Sequence, residues 1–241
     1  MNTVVVLAVL TGLTLASCGG SGKHATMVRS ISPAGPAPAD AVVVQVGATP
    51  ITGATYDHWI AIGVATVEMP KPTGPLPKPV AYEPPNFTAC IAHLRTGARK
   101  STTAKLKATC KTTYEGIQGR ILNFLITGNW LRAEAAEQHV SVTEAEVHKK
   151  FEEERKANYP SAASFRRLQE ASRQTVPDLM FAVETRMLST KLFEKFTKAH
   201  PKGKFEQAKV AAFNTSLTSK WTAKTNCEPG YVVRDCKQYK P

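Results

Sequence analysis

Five cysteines and six histidines are the residues of this 241-residue chain best suited to covalent or metal chemistry. Cys18 stands apart at the end of an N-terminal apolar run, leaving Cys90, Cys110, Cys227 and Cys236 downstream. An even set of thiols in an exported chain suits disulfides. Three pairings are possible. The short interval from Cys227 to Cys236 encloses the turn-former Pro229-Gly230 and favours local pairing, with Cys90 then joined to Cys110. Zinc is the competing chemistry, but neither pair has the close spacing of a metal knuckle. His24, His58, His93, His139, His148 and His200 show no ligand pattern such as two on one helical face beside a glutamate. They read as surface residues, with His58 beside Trp59 as the cap of a core. No serine sits in a nucleophile elbow and no glycine-rich phosphate loop occurs, so neither cofactor nor catalysis is expected.

The segments around these residues begin with an export signal. Val4 to Leu15 is an apolar stretch of signal-peptide length, ending in Leu15-Ala16-Ser17-Cys18 and followed by Gly19-Gly20-Ser21-Gly22. That string resembles a bacterial lipobox, although no Lys or Arg precedes the apolar run. The resemblance implies cleavage before Cys18 and transfer of a diacylglyceryl group to its thiol. Residues 1–17 are then a signal peptide and residues 18–40, rich in Ser, Gly, Pro and Ala, a flexible disordered tether. At about 0.8 kcal/mol per buried methylene, a diacyl anchor would hold the mature chain stably on the extracytoplasmic face of the cell membrane. No apolar run approaches the ~20 residues of a permanent transmembrane helix.

Beyond the tether, Ala41 to Gly47 is β-branched and predicts a short strand. Ala48 to Thr52 reads as a turn, with Thr52 as the N-cap of a helix through Tyr56-Asp57-His58-Trp59-Ile60-Ala61. Prolines crowd residues 66–86, which neither a helix nor a central strand can absorb, so this is an extended surface loop. Helix resumes over Phe87 to Leu94, breaks near Gly97 to Ser101, and restarts as the longest helix, Thr103 to His139. Its apolar positions recur at three and four: Leu106, Cys110, Tyr114, Ile117, Ile121, Phe124, Leu125, Leu131 and Ala135. Thr143 and Glu146 form a capping box flanked by Val142 and Val147 as a hydrophobic staple, opening a helix to about Asn158. A shorter helix follows over Ser161 to Ala171. Another begins at Thr175-Val176-Pro177-Asp178, and a last one runs from Lys204 to Trp221. The tail from Thr222 to Pro241 is expected to be a loop closed by a disulfide.

The order of these elements resembles the N-terminal chaperone domain of SurA/PrsA-type extracytoplasmic chaperones. The likeness rests on the Val-Val-Val-x-Val-Gly strand, the Thr-Pro-Ile-Thr turn and the helix carrying Asp57-His58-Trp59. It continues through the block Val140 to Val147, with Phe151, Phe165, Leu179, Leu188 and Leu192 downstream. It spans most of residues 41–221 and implies a mainly α fold, with a short N-terminal strand and a C-terminal helix returning onto the strand-helix unit. It also implies an apolar cradle for unfolded chains. Many such proteins insert a parvulin-type prolyl isomerase domain before the final helix. Here no glycine occurs between Asn129 and Lys202, which a small sheet with several tight turns could hardly tolerate. No isomerase activity is carried over.

Net charge is +12, from 31 Lys+Arg against 19 Asp+Glu. A cytoplasmic chain this basic would suggest nucleic acid; an exported one faces anionic lipid headgroups and envelope polymers instead. The densest cationic cluster is Arg95, Arg99, Lys100, Lys105, Lys107 and Lys111. The expected function is a lipid-anchored chaperone that reversibly buries apolar segments of newly exported, unfolded proteins and binds no nucleic acid. Trp59, Ile60, Phe124, Trp130, Met180, Phe181 and Met187 are the candidate lining of its cleft, the methionines adapting to varied clients. The alternatives are a prolyl isomerase with residual activity and a structural envelope lipoprotein that holds anionic cell-wall polymers.

Overall fold

The computed structural model describes residues 37–67, 76, 80–200 and 206–240. The signal sequence, Cys18, most of the tether and much of the proline-rich stretch lie outside the described residues. The fold is mainly helical with a small three-stranded sheet.

The valine run forms β1 (Val42–Val46), and the chain reverses at Gly47, whose φ of +54° lies where a side chain is strained. Thr49–Thr52, expected as a turn, is instead a second strand, β2, pairing antiparallel with β1 through Val44 opposite Ile51 and Val46 opposite Thr49. Pro50 is tolerated because β2 is an edge strand. Thr52 then caps α1 (Gly53–Val67), its hydroxyl accepting from the Thr55 amide at 3.3 Å. The described end of the expected tether is seated rather than free. The Ala54 amide donates to the Ala39 carbonyl at 2.9 Å, and a Cβ on Gly53 would lie 2.4 Å from the Pro38 carbonyl oxygen.

After the proline-rich stretch come α2 (Thr88–Gly97) and the 35-residue α3 (Thr103–Glu137), joined by the Cys90–Cys110 disulfide. Then follow α4 (Glu144–Asn158), α5 (Ala162–Ser172), α6 (Val176–Ala199) and α7 (Glu206–Thr222). The capping box expected at Thr143 and Glu146 is formed, and α5 and α6 open with the same device at Ser161/Ser164 and Thr175/Asp178. The tail is not merely a loop: Thr225–Cys227 forms β3, which pairs antiparallel with β1 and makes the first strand the centre of the sheet. Cys227 joins Cys236, so both disulfides are the local ones that spacing favoured.

α3 is the spine. Ile117, Ile121, Leu122, Leu125 and Ile126 are sealed in the main core with Val43, Val44 and Val46 of β1 and with Phe213, Leu217 and Trp221 of α7. Gly63 lets α1 lie close against this spine, since a Cβ there would fall 2.7 Å from Cγ2 of Ile117. Two smaller cores flank it. Val147, Phe151, Leu179 and Val183 fill the seam between α4 and α6, while Phe87, Cys90, Cys110 and Tyr114 fill the one between α2 and α3.

Candidate functional site

Three helices bring three aromatic rings together. Trp59 of α1 lies 4.9 Å from Phe124 of α3 and 5.8 Å from Phe181 of α6, and the two phenylalanines meet edge to face at 5.4 Å. Gly128, one turn beyond Phe124, makes the seat: a Cβ there would stand 2.6 Å from the Phe181 ring. Trp59 is only 6% exposed, while Phe124 and Phe181 are half-buried and present the reachable part of the cluster. An aromatic pair such as Phe124 and Phe181 is worth ~1 kcal/mol beyond burial, which favours keeping the rings together.

Its rim is charged. The Arg132 guanidinium stands 4.5 Å above the Phe181 ring and is paired with Glu184. On the other side, His58 Nε2 lies 2.9 Å from Asp178 Oδ1, joining α1 to α6. The second oxygen of Asp178 accepts from the Thr175 amide and hydroxyl, both at 2.7 Å. Both carboxylate oxygens are thereby engaged, one in a helix cap and one in the cross-helix bond. The pair therefore ties α1 to α6.

The seven candidate cleft residues do not share one surface. Trp59, Phe124 and Phe181 form the cluster just described. Ile60, one residue further along α1, packs between the main core and the α2–α3 core. Met180 and Met187 belong to the α4–α6 seam beside Val147 and Phe151. Trp130 is interior at 2% exposure, its indole N–H donating to the Thr225 hydroxyl at 2.7 Å.

No protein-family model, curated protein or solved structure matches the chain. Among the described residues no group of three His, Cys, Asp or Glu side chains could hold a metal ion, and no helix is long and apolar enough to cross a membrane.

Sequence reasoning missed a buried polar network at the far end of α3. Glu134, 6% exposed, accepts from Lys220 Nζ at 2.6 Å, from the Trp221 indole at 2.7 Å and from Gln138 at 2.5 Å. Glu137 pairs with the same lysine at 2.6 Å and with Lys224 at 3.0 Å. Burial alone would raise the Glu134 pKa, but donation by Lys220, Trp221 and Gln138 outweighs it and holds the carboxyl below its ordinary value. The visible signal was a glutamate one position before Ala135 in the apolar stripe of α3. Tyr56 is a second buried polar group. Desolvation, reinforced by Tyr114, pushes its phenol far above the ordinary range, and its ring meets Tyr231 edge to face at 5.0 Å.

Proposed function

We propose that this chain is a membrane-anchored, extracytoplasmic chaperone-like protein that shields apolar segments of unfolded exported polypeptides. One observation carries the reading. The C-terminal segment returns onto the N-terminal strand-helix unit, with Trp221 beneath Gly47, the Gly47 amide donating to the Lys224 carbonyl at 2.8 Å, and β3 added to β1. The resemblance to SurA/PrsA-type chaperone domains implies a C-terminal helix returning onto that unit, and the contact of Trp221, at the end of α7, with Gly47 supports the reading. The half-buried Phe124 and Phe181 offer aromatic surface with charged residues at the rim, a composition suited to sequence-tolerant apolar contact. Two disulfides suit an oxidising compartment. No covalent step enters this reading.

The test is light scattering of a chemically denatured client diluted into buffer with the full chain. Suppression of aggregation near equimolar ratio is expected, and its loss on Phe124→Ser/Phe181→Ser, with thermal unfolding followed in parallel to monitor the fold. Undiminished aggregation at a severalfold excess of the native chain would refute the reading.

A further inference from the structure

The largest charge anomaly lies away from the aromatic cluster. Between residues 84 and 114 there are six Lys or Arg and no Asp or Glu, so half of the +12 net charge sits in that stretch. The structure folds it into a helical hairpin whose tip projects: from Arg95 to Lys105 every residue is exposed except the half-buried Ala98 and Ser101. Arg95, Arg99, Lys100, Lys105, Lys107 and Lys111 are all exposed. Among the described residues only Lys111 of the six has an acidic partner, Glu115 at 3.7 Å on the next turn.

Arg95, in the last turn of α2, suits the helix dipole, but folding does not reward the placement of the α3 lysines. α4, α5 and α6 each carry a return hydrogen bond from the third helical residue to the cap, through Glu146, Ser164 and Asp178. α3 is capped by the Thr102 hydroxyl in the same way, yet its third position is Lys105, a cation where the helix dipole favours an anion. Lys107 and Lys111 are like charges one turn apart, which also disfavours the helix. The hairpin bearing these charges is nonetheless held rigidly. The Cys90–Cys110 disulfide, the Phe87/Tyr114 contact and the Arg95 donation to the Thr103 hydroxyl at 2.7 Å fix its two arms.

We propose that the α2–α3 tip is a docking surface for a bilayer rich in anionic phospholipid, seating its cations among the headgroup phosphates. Charge complementarity selects an anionic partner, and shape selects among them. The exposed stretch Thr88 to Thr113 contains no Phe, Tyr or Trp on which a nucleic-acid base would stack. A projecting end that exposes several cations suits a plane of charge. The chain from Cys18 to Ala37, nineteen residues, reaches at most ~65 Å. The tip lies ~22 Å along α3 from Gln118, whose side chain donates to the Gly230 carbonyl beside the sheet. An anchored residue 18 and a membrane-seated tip are thus compatible. This surface is separate from the aromatic cluster and does not depend on what that cluster binds.

The experiment is co-sedimentation of the full chain with vesicles of phosphatidylcholine alone and with about a third phosphatidylglycerol. Any partitioning by the N-terminal apolar run contributes to both lipid mixtures, so the anionic increment isolates the tip. One variant removes four tip charges, Arg99→Gln/Lys100→Gln/Lys105→Gln/Lys107→Gln. A control removes four exposed charges elsewhere, Lys149→Gln/Lys156→Gln/Lys198→Gln/Lys237→Gln. At about 1 kcal/mol for each surface cation, removal of four should lower the anionic increment by on the order of a thousandfold. The control should stay within a fewfold of the parent, and raising salt to 0.5 M should weaken the parent. Equal loss by both variants, no loss by either, or equal binding of the parent to both vesicle types would overturn the proposal. So would a tip variant that loses binding to soluble polyphosphate while keeping its vesicle affinity.

Discussion

Lys105→Glu should stabilise the protein, although it replaces an exposed residue that touches no acidic partner. Thr102 already accepts from the residue-105 amide at 3.3 Å, so half of a capping box exists. A glutamate there would supply the other half, reaching back to the Thr102 amide as Glu146 reaches the Thr143 amide at 2.6 Å. Removing the cation and adding an anion within the first turn are each worth roughly 0.3–1 kcal/mol at an exposed helix end, and the return bond adds a few tenths. Taking the low end throughout, the gain is about 1 kcal/mol, or roughly 2–4 °C in Tm for a chain of this size. The assay is thermal and urea unfolding by far-UV circular dichroism at neutral pH with both disulfides intact. The dipole share of the gain should shrink in 1 M salt while the hydrogen-bond share persists. An unchanged or lowered Tm at low salt would refute the reasoning, because Lys105 would then be contributing to the fold and its sign would no longer argue for an outside partner.

Glu134→Ala leaves the buried Trp221 indole without its acceptor, while Lys220 keeps Glu137, and should cost roughly 2 kcal/mol, read from the urea midpoint. Because the folded Glu134 pKa is depressed, its stabilisation is complete above the ordinary carboxylate range and is lost as pH falls through the lowered value. The parent should therefore show a steeper acid loss of stability than Glu134→Gln. Two glycine substitutions should have opposite signs. Gly63→Ala drives a methyl to within 2.7 Å of Ile117 and should cost about 1–3 kcal/mol, whereas Gly119→Ala meets nothing within 4 Å and should gain about 1 kcal/mol in helix propensity. Cys90→Ala/Cys110→Ala opens a crosslink of sequence separation 20 and should cost about 3 kcal/mol, seen as a lower urea midpoint than the oxidised parent.

What the sequence disclosed was local physics. The Thr143/Glu146 box, the Thr175 helix start with its early proline, and both disulfides depend on residues fewer than about two dozen apart, and each is present. The elements that escaped are those whose reason lies far along the chain. Thr225-Asn226-Cys227 has no strand pattern of its own and becomes β3 only because Val44 to Val46 offer an edge some 180 residues upstream. β2 carries a proline and a single buried apolar residue, Ile51, so it reads as a turn until β1 is laid beside it. Trp59, Phe124 and Phe181 were recognisable as candidates, but their meeting depends on the glycine gap at Gly128, which only the approach of α6 explains.

Trp130 shows how the distant partner decides a side chain's role. A tryptophan in the last turns of a long amphipathic helix suits either a reachable apolar surface or a core, and the choice turns on whether its indole N–H finds an acceptor inside. The acceptor is Thr225, itself fully buried and donating in turn to the Trp221 carbonyl at 2.8 Å. One hydrogen-bonded relay thus connects the spine helix, the end of α7 and the last strand. Glu134, one turn further along α3, reaches the Trp221 indole from the other side. The helix-strand corner at residues 221 to 225 is consequently held by polar bonds in an apolar setting, where each unmade bond is expensive. Such a corner favours one register of β3 on β1 over a slipped one. The seating of β3 on β1 therefore rests on this relay as much as on the strand pairing itself.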